Sequence, residues 1–353
     1  MYTWKSAAGD FSAARRSAAI LGILLAAAVA SVVVAHLCMQ NDSVLLDGRL
    51  AEWKRTNGVY RDNRFYENPE DRLLDEEIPN ADYSKGGVYF IGASNMQTSL
   101  WTLPPAEQEL IHNYAIGGST YTQQFHLIRY LVEQEGLMRA GGDKTCVIVG
   151  LYFGNGDHGA TLSPASLFRR FFVRDGMYTY DWERGVELAA MSPRWRRLRI
   201  EQIRDQAFYT WLFKVIVGGW GLDYLRPVNR QATDAIQDYW LNRLGPDWKA
   251  GMELEIEQLG QMVDYLQSHG TIVKAIYLPE GSWFQGYLLA DYHRQRVFEI
   301  LSRKSVSITD LSHEVPDNEF DDSVHLGYTG VQEVEPTILE LALDHLRRKG
   351  LLH

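Results

Sequence analysis

The sequence predicts an α/β fold, a parallel sheet covered by helices on both faces, and three observations predict it. Short apolar runs of strand length alternate with amphipathic stretches of helix length, first over residues 86 to 159 and again from 254 to the C-terminus. Runs such as "TCVIVGLYF" (145 to 153) are almost unbroken, as strands buried on both faces require. The chain has 353 residues, 46% hydrophobic and 23% charged, enough for the core of one large domain or two small ones. In a sheet of this kind ligands bind beyond the C-terminal ends of the strands.

The elements follow in order. From Ser17 to Cys38, "SAAILGILLAAAVASVVVAHLC" carries no charge over 22 positions, enough as a helix to cross a hydrocarbon core of about 30 Å. Lys5, Arg15 and Arg16 precede it, which predicts a single-pass anchor with residues 1 to 16 cytoplasmic and the rest periplasmic or extracellular. A cleaved signal peptide is the alternative, with "AVA" at 28 to 30 as the cleavage site, although apolar residues continue past it. Residues 39 to 85 turn polar and charged and read as a stalk. Within the domain, 86 to 353, "GVYFIG" (87 to 92) and "LIHNYAI" (110 to 116) read as strands, and "TYTQQFHLIRYLVEQEG" (120 to 136) as a helix ended by glycine. Further on, "LEIEQLGQMVDYLQSHG" (254 to 270) and "HRQRVFEILSRK" (293 to 304) read as helices, "TIVKAIYLP" (271 to 279) and "VSITDLS" (306 to 312) as strands, and Tyr328 to Arg348 as a final helix. Between about 160 and 250 the alternation fails. There an aromatic, arginine-rich stretch reads as a helical insertion, either packed on the sheet or touching the membrane surface through its basic and apolar part, 191 to 225.

A formal net charge of -10 argues against nucleic acid as a partner, because phosphate backbones require a basic face. Cys38 ends an apolar run and Cys146 lies in a predicted buried strand, so neither points to a disulfide framework or a zinc site. No nucleotide loop or metal constellation is present, and no cofactor is expected.

Four fragments carry chemistry. In "YFIGASNMQTSL" (89 to 100), Ser94 follows a predicted strand and is either a nucleophile or the N-cap of the next helix. "FDDSVHLGYTG" (320 to 330) puts Asp322 three residues before His325. A carboxylate at that spacing can fold back on the imidazole Nδ1 and leave Nε2 free to accept a proton; ordinary turn capping is the alternative. In "NYAIGGST" (113 to 120), paired glycines between strand and helix allow Gly118 to offer a backbone N–H to an oxyanion, or simply make a tight turn. Asn155 in "GLYFGNGDHG" (150 to 159) can add a side-chain amide to the same oxyanion. Asp157 and His158 beside it are residue types that ligate metals but lack partners at ligand spacing. "YLPEGSWFQGY" (277 to 287) offers aromatics for stacking on a sugar ring, or for the core.

The order Ser, Gly, Asn, then Asp-x-x-His, each after a predicted strand, resembles the SGNH (GDSL-like) hydrolase superfamily over about residues 86 to 159 and 268 to 350. The resemblance implies a three-layer α/β/α, flavodoxin-like fold, with Ser94 as nucleophile, Gly118 and Asn155 as oxyanion donors, and Asp322 and His325 as orienting acid and base. The sequence departs from the family pattern at Ala93, where an aspartate is usual, and in a glycine-asparagine loop displaced by about one residue. An anchor followed by such a domain is similar to the membrane-bound branch of that superfamily. This branch includes the D-alanyl transfer protein of teichoic acid pathways and the proteins that O-acetylate exopolysaccharides such as alginate or cellulose. "RRFFVRDGMYTYD" (169 to 181) is a further point of likeness. The likeness implies a protein of the bacterial inner or plasma membrane, a multi-span membrane acyltransferase as partner, and a surface polysaccharide as acceptor. The expected activity is O-acyl transfer through an acyl-serine. A carbohydrate esterase and a non-catalytic scaffold of an envelope complex are the alternatives.

Overall fold

The computed structural model describes residues 73, 77–78, 81–100, 109–173, 178–189 and 233–352. The expected anchor (17 to 38), most of the stalk and the basic and apolar part of the insertion (191 to 225) lie outside the described residues. Among the described residues no helix is long and apolar enough to cross a membrane.

Five parallel strands form the central sheet. β1 (Gly87–Ile91) lies between β2 (Ile111–Asn113) and β3 (Thr145–Leu151), and β6 (Ile272–Tyr277) and β7 (Ser307–Asp310) extend the sheet beyond β3. The strand order β2-β1-β3-β6-β7 reverses direction between β1 and β3. That reversal opens the crevice in which doubly wound sheets bind ligands.

The strand residues alternate between two cores. Val88, Phe90, Cys146, Ile148 and Ile276 face Val331, Val334, Ile338, Ala342 and Leu346, a stripe at helical spacing on the C-terminal helix, Tyr328–Arg348. Tyr89, Ile91, Val147, Val149, Val273 and Ala275 face the opposite way. They pack against the helices Tyr121–Tyr130, Trp248–Ser268 and Leu288–Arg303. The result is three layers, helix, sheet and helix.

In chain order the helices are α1 (Ser94–Thr98), α2 (Tyr121–Tyr130), α3 (His158–Leu162), α4 (Leu167–Val173), α5 (Thr233–Leu244), α6 (Trp248–Ser268), α7 (Leu288–Arg303) and α8 (Tyr328–Arg348). α2 begins with a reciprocal capping box between Thr120 and Gln123. It continues as a π-turn through Leu131–Glu135 to Gly136, in the left-handed conformation.

Two expectations need correction. The stretch read as a helical insertion includes an antiparallel hairpin, β4 (Tyr178–Asp181) with β5 (Gly185–Leu188). Tyr178 and Tyr180 point into the core while Thr179 and Asp181 stay in solvent, the period of a half-buried strand. The stretch read as a stalk supplies core residues, because Leu73, Ile78 and Tyr83 are buried. Tyr83 also shares a 3.1 Å hydrogen bond between its hydroxyl and that of Tyr114. The domain therefore draws on residues before position 86.

Candidate active site

Ser94 opens α1, directly beyond the C-terminal end of β1. The tight entry into this helix depends on two glycines that leave room for Met96. A Cβ at Gly92 would fall 2.6 Å from Met96 Cβ, and one at Gly150 of β3 2.8 Å from it. The N-cap is Ala93, with no side-chain cap, so Ser94 does not serve as the cap. Its hydroxyl instead lies 2.8 Å from Nε2 of His325.

His325 comes from a loop that leads into α8. The loop is closed at its base by a bridge between Phe320 and Leu326 and by the Asp321 N–H donating to His325 O at 2.9 Å. Asp322 folds back within it: Oδ1 accepts the backbone N–H groups of Val324 at 2.7 Å and His325 at 2.8 Å. Oδ2 lies 2.8 Å from His325 Nδ1. With Nδ1–H donating to Asp322, Nε2 is left to accept the Ser94 hydroxyl proton. Burial works against ionisation of Asp322, but the bonds from the imidazole and the two backbone N–H groups outweigh it, and its carboxyl is held below the ordinary carboxylate value. Burial, followed by the charge of Asp322, raises the neighbouring Asp321. Both side chains meet solvent, His325 at 30% and Asp322 at 53% exposure.

Gly118 lies in the turn after β2, where Ser119 N–H closes on Ile116 O at 3.1 Å and Gly118 takes φ +65°, a conformation that glycine adopts without a Cβ penalty. Asn155 lies beyond β3 in the 3-10 turn Phe153–Gly156 and is buried. Its Nδ2 donates to Ser119 O at 3.0 Å, and its Oδ1 is buried with no hydrogen-bond partner. Ser119 Oγ in turn donates to Gly92 O at 2.9 Å. The ends of β1, β2 and β3 are thus tied through Gly92, Ser119 and Asn155. The structure brings Ser94, His325 and Asp322 into direct contact, and links the turn that carries Gly118 to Asn155.

Sequence reasoning missed the support beneath these loops. Glu255 of α6 is fully buried and accepts Thr122 N–H at 2.8 Å, Thr122 Oγ1 at 2.9 Å and Thr161 Oγ1 at 2.6 Å. His158 Nδ1 lies 2.7 Å from the same carboxylate. Thr120 and Thr161 share a 2.5 Å hydroxyl contact. One carboxylate therefore holds the start of α2, which follows the Gly118 turn, and α3, which follows Asn155. Only the helical period of "LEIEQL" around Glu255 hinted at burial, since its partners lie far away in sequence.

Asp157 and His158, weighed as metal ligands, are engaged otherwise. Asp157 caps α3 by accepting Ala160 N–H and pairs with Arg243 Nε at 2.8 Å, while His158 serves Glu255. Among the described residues no group of ligating side chains has metal-binding geometry. Cys146 is buried in β3, where burial pushes its thiol up to about 12. The aromatics after β6 are not a free stacking platform: Phe284 and Tyr287 are buried, and Trp283 packs edge-on to Phe320 at 5.5 Å.

No protein-family model and no curated protein matches the sequence.

Proposed function

We propose that this chain is a serine acyltransferase of SGNH type with a flavodoxin-like fold, held at the bacterial inner or plasma membrane through residues 17 to 38. On this reading it modifies hydroxyl groups of a surface polysaccharide, with a multi-span membrane acyltransferase supplying the acyl group. The observation that carries the reading is the unbroken relay from Ser94 Oγ through His325 Nε2 and Nδ1 to Asp322 Oδ2, 2.8 Å at each step. The strand order and the position of Ser94 at the reversal point support it as well.

The geometry supports the following chemistry. Ser94 transfers its proton to His325 Nε2 as Oγ attacks the acyl carbonyl, and Asp322 stabilises the imidazolium that forms. Negative charge on the carbonyl oxygen is met by the backbone N–H of Ser94, the N–H of Gly118 and the Asn155 amide. Collapse expels the donor alcohol or thiol, which takes the proton from His325. An acceptor hydroxyl then gives its proton to His325, attacks the acyl-serine and leaves as the ester, restoring Ser94. Metal-free proton transfer of this kind needs no cofactor.

A second reading rests on one specific observation. Asp322 and His325 are open to solvent, so water reaches the position of the acceptor, and with water as acceptor the protein is a carbohydrate esterase. The test is intact-protein mass spectrometry of the full-length chain with p-nitrophenyl acyl esters, with and without candidate glycans, alongside Ser94→Ala. An acyl adduct lost in the variant and discharged faster by glycan than by water is the expected result. Discharge by water alone favours the esterase. Normal surface acylation in cells that carry Ser94→Ala would overturn acyl transfer to that surface, and with no Ser94-dependent ester hydrolysis in vitro would leave the scaffold reading.

A further inference from the structure

The loop that carries His325 has almost no regular structure between its base bridge and its tip, yet the imidazole must stay within hydrogen-bond reach of Ser94. Two backbone carbonyls at the tip are those of Ser323 and Val324. Each is caught by one side chain from a distant part of the sequence. Trp283 donates Nε1–H to Ser323 O at 2.9 Å, and Asn95 donates Nδ2–H to Val324 O at 2.6 Å. Asn95 directly follows the nucleophile, and 229 positions separate it from Val324.

Trp283 is itself fixed from several sides. It lies in the 3-10 turn Ser282–Phe284, its ring meets Phe284 at 6.3 Å and Phe320 at 5.5 Å, and its carbonyl accepts Gln237 Nε2 of α5 at 2.7 Å. Tyr287 Oη donates to Gln237 O at 2.7 Å, and Ser282 N–H donates to Asp317 Oδ1 at 2.7 Å. The indole N–H is therefore presented from a packed, hydrogen-bonded aromatic cluster, while the peptide it grips belongs to a half-buried loop without regular structure.

We propose that Trp283 and Asn95 form a clamp on the Ser323–Val324 peptides, acting as positioning residues that hold His325 in register with Ser94. The clamp rests on the serine chemistry proposed above for its consequence in activity, but not for its effect on the imidazole. Neither residue touches the reacting atoms. Their contribution is to keep Nε2 on the hydroxyl, where a misplacement of about 1 Å costs on the order of 100-fold in rate.

The decisive experiment follows the His325 ring by NMR in the full-length chain labelled with 15N-histidine, with the Nδ1–H resonance assigned by its loss in His325→Ala. Trp283→Phe keeps an aromatic ring in the cluster and removes the donor. It is expected to raise the exchange of that proton with water about tenfold or to abolish the resonance, with an unchanged melting temperature. Asn95→Ala removes the other donor without touching the aromatic cluster, and is expected to do the same should Trp283→Phe fold poorly. An unchanged resonance in a folded variant of either residue overturns its part in the clamp.

Acylation of Ser94 supplies a second readout. Trp283→Phe is expected to lower kcat about 10- to 100-fold with KM unchanged, and to have no further effect in a His325→Ala background. Equal losses in both backgrounds would mark a merely structural role. If the imidazole responds as expected while Ser94 of the wild type is never acylated, the clamp stands and the serine chemistry falls.

Discussion

His325 and His293 stand in similar company and have opposite fates. Each has a ring with hydroxyl and carboxylate chemistry close by. His325 Nε2 meets the Ser94 hydroxyl and Nδ1 meets Asp322, while His293 Nε2 meets Tyr121 Oη at 2.9 Å and Nδ1 meets Tyr277 Oη at 3.2 Å. Tyr277 Oη donates onward to Glu280 at 3.1 Å. The difference is solvent. His293 is fully buried, and burial, helped by the nearby charge of Arg294, pushes it down to about 3. Both tyrosines are pushed far above their ordinary value by burial. An imidazole that cannot take a proton near neutral pH cannot be a general base, and phenols so disfavoured as anions cannot be nucleophiles. A histidine hydrogen-bonded at both ring nitrogens is a structural brace inside the protein, and at its edge has the exposure that the proposed serine chemistry requires.

The comparison breaks most sharply on the two carboxylates. Asp322→Asn removes the acceptor that fixes the His325 tautomer, and activity is expected to fall by about 10,000-fold, with the melting temperature within a few degrees of wild type. Glu280→Gln, the matching change in the buried constellation, is expected to keep kcat within a few-fold. Steady-state kinetics and thermal melts of the two variants decide the matter. Comparable activity losses in both would mean that the buried brace takes part in the chemistry.

A smaller effect is expected at Asn155. Replacing it with alanine removes the tie to Ser119 and, on the proposed mechanism, one oxyanion donor, and kcat should fall about 100- to 1,000-fold. The loss should vanish when turnover is limited by a step without charge on the acyl oxygen. Wild-type pre-steady-state acylation in Asn155→Ala would reduce the residue to a loop tie.

Much of this was legible in the sequence, and the reasons are physical. The ends of the last helix, Tyr328 and Arg348, agree with its amphipathic period because every turn of it faces the sheet. That Ser94, Asp322 and His325 come together could be anticipated because each stands in a local pattern, a serine just beyond a strand in Gly-Ala-Ser and an i, i+3 carboxylate. Glu255 could not, since Thr122 lies 133 positions away and Thr161 94, and a lone glutamate on a helix ordinarily faces water. Trp283 invited a sugar-stacking role because nothing in "GSWFQGY" tells which peptide its N–H meets. The hairpin β4–β5 was hidden by its brevity: at four residues a strand, it is too short to stand out after the helix Leu167–Val173.

The finest test of the comparison is the pH dependence of stability, because the buried constellation carries two groups with opposite signs. Burial raises Glu280 from 4.5 to about 7, against the opposing pull of Arg294. The folded protein therefore holds a proton that the unfolded chain gives up, and this contribution is fully present below about pH 4.5 and is lost as pH rises through about 7. His293 is lowered from 6.5 to about 3, so its contribution is present above pH 6.5 and is lost as pH falls toward 3. Between 4.5 and 6.5 the two oppose one another, and above 6.5 Glu280 acts alone. Urea unfolding of Glu280→Gln and wild type should give similar stabilities near pH 5 and a gap of about 1 to 3 kcal/mol in favour of the variant by pH 8. A variant less stable than wild type at pH 8 would mean that the ionised pair of Glu280 with Arg294, 2.6 Å apart, stabilises the fold despite its burial. In that case the carboxylate of the brace around His293 would be held ionised by its partner, as Asp322 is held by its hydrogen bonds, and solvent exposure alone would no longer separate the two.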